Sequence, residues 1–190
     1  MLTRFRIENK HQVPKVVESL LGKDVRAIAC GPGHTACITA ERELYTFGAA
    51  RFLFVIHPSI NQSIDRSDGT ENDMMCFGCS FGRLGHGHER ERFIPSPVSI
   101  LKGVKVVQVA CGDFHTAALI DCGVVFSWGK GDDGRLGHGD EVTCLSPKQI
   151  EALNPFNIVY IACGFFSTAV ITGLRLSCAI QQSHKAIRLI

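Results

Sequence analysis

Two stretches of six residues decide the fold of this 190-residue chain: "GRLGHG" stands at 82–87 and recurs without change at 134–139. Gly82 and Gly134, which open the two copies, are separated by 52 positions. The cysteines Cys111 and Cys163 show the same separation. A fixed period of this length indicates an internal structural repeat.

The repeat extends well beyond the two glycine-rich stretches. Related segments occupy 24–48, 103–129 and 157–173, each with a Cys-Gly pair between two apolar runs. The spacing between the first and second copies is too long, and the surplus lies in residues 49–78. We interpret that stretch as an insertion. A functional loop and an artefact of how the coding sequence was assembled both remain open.

Each unit has the pattern of several short strands. The run "VKVVQVA" at 104–110 is rich in β-branched residues, and "AALI" and "VVFSWG" follow it after turn signals. Gly112 is expected to give the turn "CGDFHT" its backbone freedom. Units of about 50 residues with three or four strands have the size of a propeller blade. The sequence therefore predicts an all-β fold.

Composition narrows the class of protein. Hydrophobic residues make up 45% of the chain and the net charge is +2, with the basic residues scattered. This composition favours a packed core, and the scattered basic residues do not form the cluster expected of a nucleic-acid-binding surface. No apolar run is long enough to span a membrane. Nine cysteines, an odd number, argue against a disulfide framework. We expect a protein of the cytoplasm, the nucleus or both.

The stretch "GKGDDG" has the G-x-G-x-x-G spacing of a dinucleotide loop, formed by Gly129, Gly131 and Gly134. Such a loop must open a helix whose first amides hold the phosphates. The residues that follow, "RLGHGDEVTCLSP", have no helical period. We therefore expect a structural turn here and no nucleotide cofactor.

The cysteines do not form a metal site in the sequence. Cys76 and Cys79 make one C-x-x-C pair, and a zinc site would need a second pair. Cys30, Cys111 and Cys163 occupy one repeat position, where we expect small buried side chains. No metal ion is expected.

Two histidines also share a repeat position. His34 and His115 are replaced by Ser167 in the third unit, which suits a hydrogen bond that holds the turn better than catalysis. Arg83 and Arg135 are also equivalent, and we expect them to pair with acids or carbonyls at blade edges.

These motifs together resemble the repeats of the regulator of chromosome condensation family. The resemblance covers residues 13–173 apart from the insertion, between an N-terminal segment (1–12) and an atypical tail (174–190). The family fold is a seven-bladed β-propeller. It implies here a partial β-propeller of about three four-stranded blades. An open arc of three blades exposes its inner surfaces, so we expect a fragment of a longer product or a chain that needs a partner.

Most of the repeated residues are expected to be structural, with Leu84 and Leu136 packed between blades. The structural set is Gly31, His34, Gly82, Leu84, Gly85, Gly112, His115, Gly134, Leu136, Gly137 and Gly164.

The resemblance also bears on function. Founding members of the family catalyse guanine-nucleotide exchange on a small nuclear GTPase and dock on chromatin through loops on the propeller faces. Only Asp113 supplies an acid inside a Cys-Gly turn of this chain. Our main hypothesis is therefore a non-enzymatic protein-interaction scaffold. The alternatives are an exchange factor for a small GTPase and a substrate-recruiting segment of a large ubiquitin ligase; chromatin is a partner by resemblance alone.

Partner contacts are expected at polar or aromatic residues of the turns and of the stretch at 129–140. The candidates are Asp113, Phe114, Lys130, Asp132, Asp133 and Asp140.

Overall fold

The computed structural model describes residues 3–4, 15–48, 81–173 and 186–189, and strands dominate it. The strands in chain order are β1 (Thr3–Arg4), β2 (Lys15–Val16), β3 (Val25–Cys30), β4 (His34–Thr39), β5 (Leu44–Gly48), β6 (Arg92–Pro97), β7 (Val106–Cys111), β8 (His115–Ile120), β9 (Val125–Gly129), β10 (Cys144–Gln149), β11 (Asn157–Cys163), β12 (Thr168–Gly173) and β13 (Ala186–Leu189). Single turns of 3₁₀ helix occupy Glu18–Leu20, Ser99–Leu101, Asp132–Gly134 and Glu151–Leu153.

The strands form successive antiparallel sheets, as the sequence predicted. The first blade has the order β3-β4-β5-β6, the second β7-β8-β9-β10, and the third β11-β12-β13. The third strand of the third blade, β13, comes from the tail in which the repeat pattern is lost. The predicted insertion at 49–78, with Cys76 and Cys79, lies outside the described residues.

Strand β8 shows why the blades stack. Its side chains alternate between two faces, so Ala118 packs into the apolar cluster shared with the first blade, whereas Ala117 and Leu119 pack towards the third. All three are buried. Alanine fits this strand because small side chains let the neighbouring blades approach closely. The hydrophobic core therefore lies between blades rather than inside any one of them.

The glycine-rich stretches are sharp turns without a helix. Gly85 has φ 78°, and an added Cβ would lie 2.7 Å from the indole nitrogen of Trp128, so the position requires glycine for two reasons. After the turn at Asp132–Gly134 the chain continues into β10, and no α-helix occurs among the described residues. The dinucleotide-loop interpretation thus lacks the helix it needs.

Gly112 is needed for space rather than for backbone freedom, which corrects the sequence-based expectation. It is absent from the residues with positive φ in the described chain. A Cβ there would collide with the ring of His115 and would lie 2.6 Å from the carbonyl oxygen of Gly164 in the next blade. The Cys-Gly turns of adjacent blades are therefore in close backbone contact.

No helix in the described part of the chain is both long and apolar enough to cross a membrane.

Candidate functional site

The first and second blades are joined by a hydrogen-bonded chain centred on Thr116. Its hydroxyl donates to the main-chain oxygen of Arg83 at 2.8 Å and lies 2.7 Å from Nε2 of His34. A threonine hydroxyl has one proton, so His34 must carry hydrogen on Nε2 and donate it to Thr116. Arg83 belongs to the first glycine-rich turn, which is thereby fixed to the second blade.

The second and third blades are joined in the same way. Thr168 donates to the main-chain oxygen of Arg135 at 2.8 Å and lies 3.0 Å from Nε2 of His115. Each histidine makes the kind of structural hydrogen bond that the sequence suggested, but its partner lies in the following blade rather than in its own turn. We refer to the His-Thr-Arg sets at the two boundaries as the blade junctions.

The junction histidines are uncharged at neutral pH. Burial, with the nearby Arg83 charge, lowers the pKa of His34 to about 3. Burial, with Arg135, lowers the pKa of His115 to about 4. Protonation would also place a second N–H on Nδ1 of His34, for which no described residue supplies an acceptor. Both junction rings are therefore neutral near pH 7, where they serve as hydrogen-bond partners within the junctions.

The two junction arginines hold the turns of the next blade. Arg83 donates from Nη1 to the carbonyl oxygen of Asp113 at 2.8 Å, and Arg135 donates to that of Phe165 at 3.3 Å. Arg135 also forms an ion pair with Asp133 at 2.8 Å, although its side chain is only 1% exposed. The prediction that these arginines pair with acids or carbonyls is confirmed.

The expectation of buried cysteines fails in the first blade. Cys30 is exposed, whereas Cys111 and Cys163 are partly buried. The thiols of Cys111 and Cys163 donate to the carbonyl oxygens of Ala29 and Ala110 in the preceding blades, both at 3.5 Å. Burial raises the pKa of Cys163 to about 12, so this thiol is not a nucleophile at neutral pH. Cys30 is exposed because no described blade packs on its side of the first blade.

The turns held by the arginines present a row of aromatic rings on one face. Ring centroids are 5.8 Å apart for Phe81 and Phe114, 5.4 Å for Phe114 and Phe165, and 4.2 Å for Phe165 and Phe166. All three pairs are edge-to-face, a favourable geometry for aromatic rings. Phe165 and Phe166 are 45% and 57% exposed. We call these four residues the aromatic ridge.

Cations lie against the ridge, and their partners are carboxylates. The Lys130 ammonium is 4.9 Å from the centre of the Phe81 ring, and the Arg135 guanidinium is 5.1 Å from that of Phe166, both within cation–π range. Lys130 also pairs with Asp132 at 2.7 Å, and this hydrogen bond lowers the pKa of Asp132. Asp133 pairs in turn with Arg135.

The charge that solvent reaches along the ridge is negative. The side chains of Asp132 and Asp133 are 50% and 62% exposed, against 27% for Lys130 and 1% for Arg135. The aromatic rings and neighbouring carboxylates cover the cations and leave the acids facing outwards. An approaching molecule therefore meets exposed phenyl rings flanked by carboxylates.

The structure brings most of the sequence-predicted contact residues to this face. Phe114 lies at the centre of the ridge, and Asp113 begins its turn, with a pKa raised by burial against the opposing effect of Arg83 and Arg135. Asp140 instead pairs with Lys148 at 3.7 Å in a groove beside the ridge.

Sequence reasoning missed three ridge members, Phe81, Phe165 and Phe166. The repeat contains a signal for one of them, because Phe166 occupies the same position in its Cys-Gly turn as Phe114. Phe81 precedes the first glycine-rich turn, where the second copy has Asp133, so the alignment conceals it. Both residues have left-handed backbones, with φ 49° at Phe81 and 59° at Asp133.

Within the described residues, no three His, Cys, Asp or Glu side chains lie close enough together to hold a metal ion.

Comparison with known proteins identifies the repeat. The regulator of chromosome condensation (RCC1) repeat profile matches residues 5–38, 76–119 and 123–171, and a second profile of that description matches 106–135. The chain belongs to the RCC1 repeat family. The three matches correspond to the three repeat units found in the sequence.

Several curated proteins contain similar RCC1 repeats. The human E3 ubiquitin-protein ligase HERC2 is 39% identical over 80% of this chain, which corresponds to 3% of the ligase. The ultraviolet-B receptor UVR8 of Arabidopsis thaliana is 31% identical over 84% of this chain and 30% of the receptor. The kinase Nek9 of Xenopus laevis is 33% identical over 92% of this chain and 16% of the kinase. The chain thus spans less than a third of each relative.

Solved structures share the RCC1 fold. Human WBSCR16 superimposes with a TM-score of 0.57 at 23% identity, over 84% of this chain and 34% of its own. Prp20p of Saccharomyces cerevisiae gives a TM-score of 0.55 at 24% identity, over 82% of this chain and 32% of its own. At this level of identity the similarity establishes the fold and no particular activity.

Proposed function

We propose that this chain is a non-enzymatic protein-interaction module that contacts its partner through the aromatic ridge. The supporting observation is that the residues joining the blades and the residues exposed at the ridge are different sets. The repeated His, Thr and Arg side chains bond one blade to the next, whereas the side chains of Phe165 and Phe166 are exposed to solvent. Exposed aromatic anchors with a polar surround are typical of protein interfaces.

Site-specific photocrosslinking tests this proposal in cells. A benzoylphenylalanine placed at Phe166 should capture a small, reproducible set of proteins on illumination. The matched control carries the same probe at Ile94, which is 68% exposed on the outer strand β6 of the first blade. The same set of captured proteins from both positions would contradict a contact surface at the ridge.

Guanine-nucleotide exchange on a small GTPase is the second candidate. Asp113 supports it as the acid in the Cys-Gly turns, and Prp20p, which shares the fold, binds Gsp1p and histones. Nucleotide release from a panel of small GTPases separates the two candidates. Acceleration by micromolar chain, lost in Asp113→Asn, would favour exchange; an unchanged rate across the panel favours the interaction module.

A role in recruiting substrates to a ubiquitin ligase is a specific form of the main proposal. It is motivated by the 39% identity with a segment of HERC2. If it holds, the proteins captured at Phe166 should include ubiquitylated species, and proteasome inhibition should increase their yield. Capture of unmodified proteins alone, unaffected by inhibition, would contradict it.

A further inference from the structure

We infer that the aromatic ridge binds a partner segment containing exposed arginine side chains. This inference rests on the proposed interaction function and adds the chemistry of the partner. It starts from an arrangement that the chain already builds internally: a guanidinium above phenyl rings with a carboxylate beside it.

The internal arrangement is centred on Arg135. Its guanidinium lies 5.1 Å from the ring centre of Phe166 and 5.9 Å from that of Phe114, and it pairs with the carboxylate of Asp133. Arginine recognition generally combines these two contacts, a π face and a planar acceptor. The surface of this protein therefore contains both halves of a guanidinium site.

The outer side of the ridge has exposed groups that can contact a second guanidinium. Phe165 and Phe166 each keep about half of their surface exposed. The internal ion pairs of Asp132 and Asp133 both use the Oδ2 atom, so a cation from solvent can approach the other oxygen. The protein's own cations are largely covered, and they contribute little repulsion at the surface.

The exposed negative charge of the ridge favours a positively charged partner. The accessible charges at the ridge are the carboxylates of Asp132 and Asp133, so an acidic peptide or a phosphate backbone would meet repulsion at the aromatic rings. An arginine peptide gains both an ion pair and a stacked contact. Lysine, a compact ammonium that does not stack as a plane, should bind less well.

Fluorescence anisotropy with three labelled peptides tests the inference on the whole 190-residue chain. The probes alternate glycine with arginine, lysine or glutamate, and all three are measured at the same physiological salt concentration. We expect the arginine peptide to bind more tightly than the lysine peptide, and the glutamate peptide not to bind. Equal or tighter binding of the glutamate peptide would overturn the inference.

Substitutions test whether the arginine peptide binds at the aromatic ridge. Asp132→Asn with Asp133→Asn should weaken the arginine peptide by about tenfold, and Phe166→Leu, which keeps apolar bulk, by about threefold. The control pair Asp24→Asn and Asp121→Asn removes two exposed acids from the opposite end of the strands and should change affinity less than about twofold. Every variant should keep a cooperative urea transition; the Asp133 substitution lowers its midpoint, because Arg135, only 1% exposed, loses its ion-pair partner. An equal loss in the control pair would refute binding at the ridge.

The two proposals can fail separately. Specific crosslinks from Phe166 without an arginine preference would overturn the present inference and leave the interaction function standing. Absence of specific crosslinks from Phe166 would contradict the interaction function whatever the peptides do.

Discussion

Substituting Thr116 by valine removes one hydroxyl from the junction between the first and second blades and leaves the side-chain shape nearly unchanged. The hydroxyl is fully buried, and it connects His34 to the main chain of Arg83. In the variant the Nε2–H of His34 loses its acceptor. The carbonyl of Arg83 keeps one donor, the indole N–H of Trp128 at 2.9 Å.

The size of the effect follows from these contacts. Two hydrogen bonds are lost at about 1 kcal/mol each, and a buried donor without a partner costs about 1–3 kcal/mol more. Retention of the Trp128 bond and partial relaxation reduce the total. We expect the free energy of unfolding to fall by about 2–3 kcal/mol.

Urea unfolding followed by Trp128 fluorescence measures this change, because the chain contains one tryptophan and it is fully buried. The matched control is Thr35→Val at the equivalent position of the first blade, where the hydroxyl's hydrogen-bond partner within the described part of the chain is the Cys30 thiol, at 3.8 Å. It should cost less than about 0.5 kcal/mol. Thr168→Val, at the second junction, should resemble Thr116→Val. Equal effects of Thr116→Val and Thr35→Val would refute the reasoning.

Three further changes test the same structure. The pKa values of His34 and His115 are depressed from the ordinary 6.5 to about 3 and about 4, so the unfolded chain binds more protons below pH 6.5. Stability should be complete above that pH and fall on acidification towards pH 4, by up to about 1.4 kcal/mol per pH unit for each histidine; a flat urea midpoint over this range would contradict it. Gly112→Ala should destabilise the chain far more than Gly164→Ala, where the nearest side-chain contact to a new Cβ is at 3.3 Å; equal unfolding midpoints would count against the close contact of the Cys-Gly turns. Leu136→Asp, at a side chain only 1% exposed, should abolish the cooperative transition; a folded variant by circular dichroism would show that the glycine-rich turn is not part of the core.

The repeat made the fold predictable from sequence. Identical "GRLGHG" turns and equivalent Cys-Gly pairs fixed the unit, the strand content and the blade architecture. The side-chain contacts between units could not be predicted in the same way. The pairing of His34 with Thr116 depends on the rotation between adjacent blades, and periodicity within one unit carries no information on that rotation. The sequence therefore does not show that each histidine bonds to the following blade.

The aromatic ridge was predictable only in part. Phe114 and the charges at 129–140 stood out in the sequence, whereas Phe81 joins them only because two turns from different units fold to the same face. The charge exposed at the ridge was also not predictable. The sequence alone suggests that Lys130 is an exposed cation, whereas in the structure the rings of Phe81 and Phe114 and the carboxylate of Asp132 cover much of its side chain.

A double-mutant cycle between His34 and Thr116 tests most directly the claim that the repeated residues bond one blade to the next. The cycle requires four free energies of unfolding from urea titrations: those of the parent chain, His34→Leu, Thr116→Val and the double variant. The two residues lie on different blades and share a 2.7 Å hydrogen bond, so the account predicts a coupling of about 1–3 kcal/mol. Additive effects, within about 0.3 kcal/mol, would contradict it.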